Sequence, residues 1–259
     1  MQKTKELGVD APPRAAKLTK KKGADVNIRF DRRRRRRIAV ELALLLVVGA
    51  LTVWTLRRPL FQGNYGVVDA GHVYRFAQPQ PSDWPRLLKE VKPASVINLR
   101  GGSMKDPWYA AEAALAARGV DVYELTMSAR ARPRRFELLS LLDLFDRCRY
   151  PLLIHCKAGA DRTGLASGLY RMYRLGEPPE IARGALTIAH GHVPITGTEH
   201  MHEPFIEYQA WLKAQGVEHT SERLRAWVAN DYHDPNQQTK FRPLQPLPRV
   251  EEVARSAAQ

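Results

Sequence analysis

The sequence predicts an α/β fold: a central, largely parallel sheet flanked by helices, preceded by one transmembrane helix. Three observations carry this. Short apolar runs alternate with helical patterns between residues 65 and 162, the order that a parallel sheet with crossover helices requires. One run, PLLIH at 151–155, leads through a short loop into a long helix. Ahead of all this lies an uninterrupted apolar stretch, residues 38–56, whose only charge is Glu41.

The charge is unevenly placed. Residues 1–37 carry 14 Lys/Arg against 4 Asp/Glu, so most of the formal +14 belongs to an N-terminal arm. Polar and without apolar periodicity, this arm is expected to be disordered. The run Arg32–Arg37 stops abruptly at Ile38. Nineteen helical residues then span about 28 Å, one hydrocarbon core. Trp54 sits at the far end, where an interfacial aromatic belongs. A buried helix of a soluble domain is the weaker reading beside so basic a flank. A cleaved signal peptide fits poorly: the leader and the apolar run are too long, and no small-x-small site precedes Arg57 and Arg58. The basic flank predicts a cytoplasmic N-terminus and places the bulk of the chain on the exoplasmic or periplasmic side. Beside a membrane helix the polyarginine run reads as a topology signal and an anionic-lipid contact, so no nucleic-acid partner is expected.

A linker, 57–64, leads to the domain expected over 65–216. VVDAGHVYRF reads as a strand and SDWPRLLKEV as a helix capped by Ser82. ASVINLR (94–100) reads as a short buried strand, DPWYAAEAALAARG as a helix closed by Gly119, and VDVYEL as a strand. PRRFELLSLLDLFDRC is an amphipathic helix with Pro133 at its start. Helices are expected over 162–175, 177–190 and 199–215. Residues 217–259 supply a further helix near 220–230 and a Pro-rich tail, FRPLQPLP, expected to be extended and loosely held.

The chemistry is concentrated at His155-Cys156-Lys157-Ala158-Gly159-Ala160-Asp161-Arg162-Thr163-Gly164. A loop wound between strand and helix points its amides inward and makes an anion nest, and the helix N-terminus adds positive potential. Gly159 permits the turn. Arg162 offers a planar fork for two phosphate oxygens. A cysteine at the base of such a nest is held as thiolate, in line to attack phosphorus.

These residues resemble the signature of cysteine-dependent protein tyrosine and dual-specificity phosphatases, H-C-x5-R followed by Ser or Thr. VYRFAQPQP, VINLRGG and HCKAGADRTG also occur in the order seen in small atypical dual-specificity phosphatases of bacteria, plants and fungi. The resemblance covers about residues 65–215. It implies that Cys156 forms a cysteinyl-phosphate and that Arg162 and the amides of Lys157, Ala158, Gly159 and Ala160 hold the phosphate oxygens. Thr163 is then expected to hydrogen-bond the sulfur, and His155 to orient the loop. No cofactor or metal is implied.

The family's upstream general acid has no counterpart, because 125–135 (LTMSARARPRR) lacks a carboxylate. Asp161 is the nearest candidate, since the G-x-D-R-T-G form resembles phosphatases in which this Asp donates the proton. Its alternative role is as a structural partner of Arg162 or a loop amide, and Asp106 is the second candidate acid. Arg130, Arg132, Arg134 and Arg135 form either a solvated face or, with Lys157, the rim of a pocket for a multiply phosphorylated or anionic headgroup.

His190, His192, His200 and His202 carry the spacing of a possible metal site, but the chemistry needs none. Cys148 is either a buried structural thiol or a resolving partner for Cys156. Two cysteines exclude a disulfide framework. The sequence therefore predicts a membrane-anchored phosphatase for phosphate monoesters. Its expected substrate is a phosphorylated protein or, alternatively, an anionic phospholipid or inositol phosphate. A catalytically weak phosphate-binding membrane module is the third reading. The sequence leaves the oligomeric state open.

Overall fold

The computed structural model describes residues 32–234 and 241–248. It divides into two compact units, Met1–Val47 and Val48–Gln259, with the division inside the first helix. That helix, α1, runs from Arg32 to Phe61, longer at both ends than the apolar stretch. Arg32–Arg37, assigned above to a disordered arm, are helical, and the rest of the arm lies outside the described residues. Arginine and leucine are good helix formers, and the apolar run supplies the nucleus to which the arginines add. Between Arg34 and Phe61 the helix is long and apolar enough to cross a membrane, and its apolar window is wholly unburied.

The sheet has five strands: β1 (Gly66–Asp69), β2 (Val73–Phe76), β3 (Ser95–Asn98), β4 (Asp121–Glu124) and β5 (Leu152–His155). Their spatial order is β1-β2-β5-β3-β4. Only β1–β2 is antiparallel; β5 lies parallel between β2 and β3. The single strand expected at VVDAGHVYRF is thus a hairpin, turned at Gly71 in the left-handed region with φ +80°. All four residues of β5 are buried, as its continuous apolar run requires of a central parallel strand.

Alternate residues face opposite ways. Leu153, Val96, Val122 and Phe76 pack against Trp84 and Leu87 of α2 (Trp84–Glu90) and against Leu115, which follows α3 (Pro107–Ala113). Ile154, Ile97 and Leu152 pack against α4 (Arg135–Arg147) and α5 (Asp161–Leu175). The chain continues through α6 (Pro179–Ala182), α7 (Glu203–Gln215) and α8 (Ser221–Asn230).

Several expectations change. Asp83, not Ser82, occupies the N-cap of α2, and its carboxylate accepts from Gln80 N at 2.8 Å. The helix expected over 177–190 breaks into α6 and short 3-10 turns, because Thr187 takes an extended conformation. The helix α8, placed beyond the domain by a boundary at 216, contributes Leu224, Trp227 and Val228 to the main core. The Pro-rich tail is pinned: Leu247 N donates to Val122 O at 2.7 Å. It covers the open edge of β4, where backbone groups otherwise lack partners.

Candidate active site

The C-terminal ends of β5, β3 and β4 meet where the chain order switches sides, the usual location of an α/β site. Cys156 follows β5 directly and is buried with a free thiol. The loop 157–160 curls over it into α5.

The loop is braced from outside, carbonyl by carbonyl. Gln78 N donates to Lys157 O at 3.2 Å. Asn64 Nδ2 donates to Ala158 O at 2.8 Å. Arg75 Nη2 donates to Gly159 O at 2.7 Å and reaches Ala160 O at 3.4 Å. In a trans peptide the carbonyl of one residue and the N–H of the next point in opposite directions. Four outward carbonyls therefore turn the amides of Ala158, Gly159, Ala160 and Asp161 inward, which is the anion nest. Gly159, at φ +67°, is obligatory: a Cβ there would come within 2.7 Å of Phe76 O.

Arg162 is aimed by the two neighbouring strand ends. Its Nη1 donates to Leu99 O and Met127 O, both at 3.1 Å, and its buried Nε has no partner. Among the described residues, Asp161 has no bond to Arg162. Its Oδ1 instead lies 2.7 Å from His192 Nδ1. Asp106, at the N-cap of α3, has no bond to the loop; its carbonyl accepts from Tyr109 and Ala110. Among the described residues the buried Thr163 hydroxyl has no hydrogen-bond partner, so the bond to sulfur implied by the resemblance is not formed here. A neutral thiol is a weak acceptor; the bond suits the thiolate.

His155 is fully buried, with Nε2 2.8 Å from Glu112 Oε2. The contact is off-axis for a hydrogen bond, and Nδ1 has no partner. Glu112 also accepts from Asn98 Nδ2 at 2.8 Å and Gln78 Nε2 at 3.3 Å, so one buried carboxylate ties α3, β3 and the loop's support together. Arg75, Asn64 and Glu112 escaped the sequence reading. The available signal was a charged residue inside an otherwise apolar run, VYRF for Arg75 and AAEAALAA for Glu112.

The basic rim is largely absorbed. Arg132 pairs with Glu203 at 2.8 Å and Glu207 at 2.5 Å. Arg134 pairs with Glu137, and Arg135 bonds Tyr232 O and Asp234. Arg130 and Lys157 remain exposed. Cys148 does not serve Cys156. It lies beside Ser95 at the opposite end of the sheet, and burial pushes its thiol up to about 12. The intervening length of β5 is about 10 Å, beyond the roughly 7 Å that a disulfide allows between Cα atoms. Of the four histidines, His190 bonds Asn64, His200 bonds Glu203, and His192 and His202 bond each other. Among the described residues no three His, Cys, Asp or Glu are grouped to hold a metal.

A buried cysteine under inward amides, with an arginine fork beside it, is the arrangement that the resemblance implied. Residues 63–173 match the model of the tyrosine phosphatase family. No curated relative matches the chain. Similar solved structures include Pseudomonas aeruginosa TpbA, 23% identical over 64% of this chain and 96% of that one, TM-score 0.43. The catalytic core of the Saccharomyces cerevisiae PP-IP phosphatase SIW14 is 18% identical over 59% and 93%, TM-score 0.46. PTPMT1, solved with PI(5)P, is 19% identical over 59% and 99%, TM-score 0.40.

Proposed function

We propose that this protein is a membrane-anchored phosphatase that hydrolyses phosphate monoesters through a cysteinyl-phosphate, with phosphorylated protein as its substrate class. The observation that carries the reading is the bracing of the loop carbonyls of residues 157–160, which preorganises inward amides above Cys156. Donors fixed before the reaction stabilise charge as it spreads over the phosphoryl oxygens, with no reorganisation at the barrier.

In the first step the Cys156 thiolate attacks phosphorus. The P–O bond breaks, and the leaving oxygen takes a proton from Asp161. In the second, water attacks phosphorus, the P–S bond breaks, and the water's proton goes to Asp161. Inorganic phosphate and the thiolate are regenerated. Arg162 holds two equatorial oxygens throughout, and the Thr163 hydroxyl donates to the departing sulfur.

Single-span anchoring by residues 38–56 follows from the length and exposure of α1, with the arm cytoplasmic and the catalytic domain on the other side. The phosphoinositide alternative rests on Lys157, exposed beside the nest. It loses the support of Arg132, Arg134 and Arg135, which are spent on carboxylates and carbonyls.

Turnover of a generic aryl phosphate by the purified full chain tests the reaction. Activity that vanishes in Cys156→Ser supports it; full activity in that variant sinks it. A panel of phosphopeptides against phosphoinositides then separates the two substrate classes.

A further inference from the structure

Asp161 is the first link of a chain of three side chains drawn from separate segments. Its Oδ1 lies 2.7 Å from His192 Nδ1. His192 Nε2 lies 2.9 Å from His202 Nε2. The His192 side chain is 1% exposed, against 21% for Asp161, and His202 beyond it is half-buried. The chain ends at His202 Nδ1, a buried atom without a partner among the described residues. Nothing in the hydrolysis described above uses either histidine.

We propose that His192, backed by His202, is the positioning residue that fixes Asp161, holding one carboxylate oxygen and leaving the other free for proton transfer in both halves of the reaction. The inference rests on the reading of Asp161 as the proton donor.

Counting hydrogens gives the reason. With Asp161 ionised, His192 Nδ1–H donates to the carboxylate, and His192 Nε2 accepts from His202 Nε2–H. His202 Nδ1 is then a bare nitrogen, a tolerable state for a buried acceptor. The proton bound for the leaving oxygen must sit on Oδ2, the oxygen turned away from His192, so Oδ1 accepts from His192 Nδ1–H whether Asp161 is protonated or ionised. That bond is charge-assisted only with the carboxylate ionised, so the chain favours that form. The bias helps Asp161 release its proton to the leaving oxygen in the first step. The same contact keeps Oδ1 anchored, leaving Oδ2 for water in the second.

The charged and titratable groups around the chain are Asp161 on α5, Arg183 after α6, and the two histidines. Burial, then His192 and Arg183, hold His202 below the usual imidazole range, so it stays neutral at working pH. Cooperative polarisation along such a chain strengthens the terminal bond to the carboxylate.

The test is the pH–rate profile of the full chain on aryl phosphates with good and poor leaving groups. His192→Phe removes the donor to the carboxylate. The alkaline limb should then move up by about one pH unit on poor leaving groups. His192→Gln, which retains an N–H donor, should restore the limb most of the way. His202→Leu should move it in the same direction by less, and it carries the test if His192→Phe fails to fold. An unmoved limb in the folded variants overturns the proposal. Asp161→Asn, run in parallel, reports on the underlying reading. Selective loss on poor leaving groups upholds that reading even where the histidine variants fail to shift. Equal loss on both substrate types removes Asp161 as donor and takes this proposal with it.

Discussion

Arg75 Nη2 donates to the Gly159 carbonyl at 2.7 Å, from a guanidinium buried behind the loop 157–160. Its Nη1 reaches Ala185 O at 2.9 Å, so a single fork joins the loop to the turn after α6. Burial lowers the guanidinium to about 10, opposed by the facing Cys156 and assisted by Arg58, and it remains charged at neutral pH. A charged donor stationed behind the nest both turns the amides inward and adds positive potential near Cys156.

Arg75→Lys is expected to cost activity without touching substrate. A single ammonium replaces a two-pronged fork and leaves a buried carbonyl unpaired, at about 1–3 kcal/mol. The thermal midpoint should fall, and kcat/KM on aryl phosphate should drop by about 10²-fold. Unchanged kinetics in the folded variant would show that the loop holds its shape without this brace.

Arg162→Lys should lose most turnover although the charge is kept. Its Nη1 is already committed to Leu99 O and Met127 O, so the guanidinium plane is fixed for bidentate contact. Lysine offers neither the plane nor the second prong. A loss of about 10²–10³-fold in kcat is expected. Steady-state kinetics beside Cys156→Ser measure it, and a near-normal kcat would refute the bidentate role.

Cys148 should be inert in the folded protein. Burial pushes its thiol up to about 12, leaving almost no thiolate at pH 8. In Cys156→Ser protein, iodoacetamide should add nothing under native conditions and one equivalent after unfolding. Native labelling at Cys148 contradicts this.

Stability should fall on the acid side of neutrality through His190. Burial first, then Arg75 and Arg58, hold its imidazole down at about 3, and Nδ1 lies 2.8 Å from Asn64 Oδ1. The unfolded chain takes a proton near pH 6.5, and the folded chain resists it until about 3. Between those values the unfolded state binds more protons, so stability is fully present above about 6.5 and is lost as pH falls. Urea midpoints from pH 7.5 to 5 should decline in the wild type and decline less in His190→Gln. Equal slopes in both would remove His190 as the cause.

Topology is open to a direct measurement. A periplasm-active reporter fused after residue 259 should be active, and a cytoplasm-active one silent, because the basic excess precedes the apolar stretch. The reverse pattern overturns the assigned orientation.

The sequence alone settled what depends on local order along the chain. The H-C-x5-R-T spacing, the apolar β5 before it and the helix after it are contiguous, so the nest and its class were legible without coordinates. The unbroken apolar stretch was legible for the same reason: length and composition need no partner. Tertiary structure decided everything that depends on residues far apart in sequence. Asn64 and Arg75 reach the loop across 94 and 84 positions. Asp161 finds His192 across 31, and Arg132, which reads in sequence as a rim cation, is claimed by Glu203 and Glu207. Single charged residues carry no pattern, and a buried polar group must find partners wherever the fold brings them. Only the tertiary packing specifies which residues brace the loop and which histidine meets Asp161.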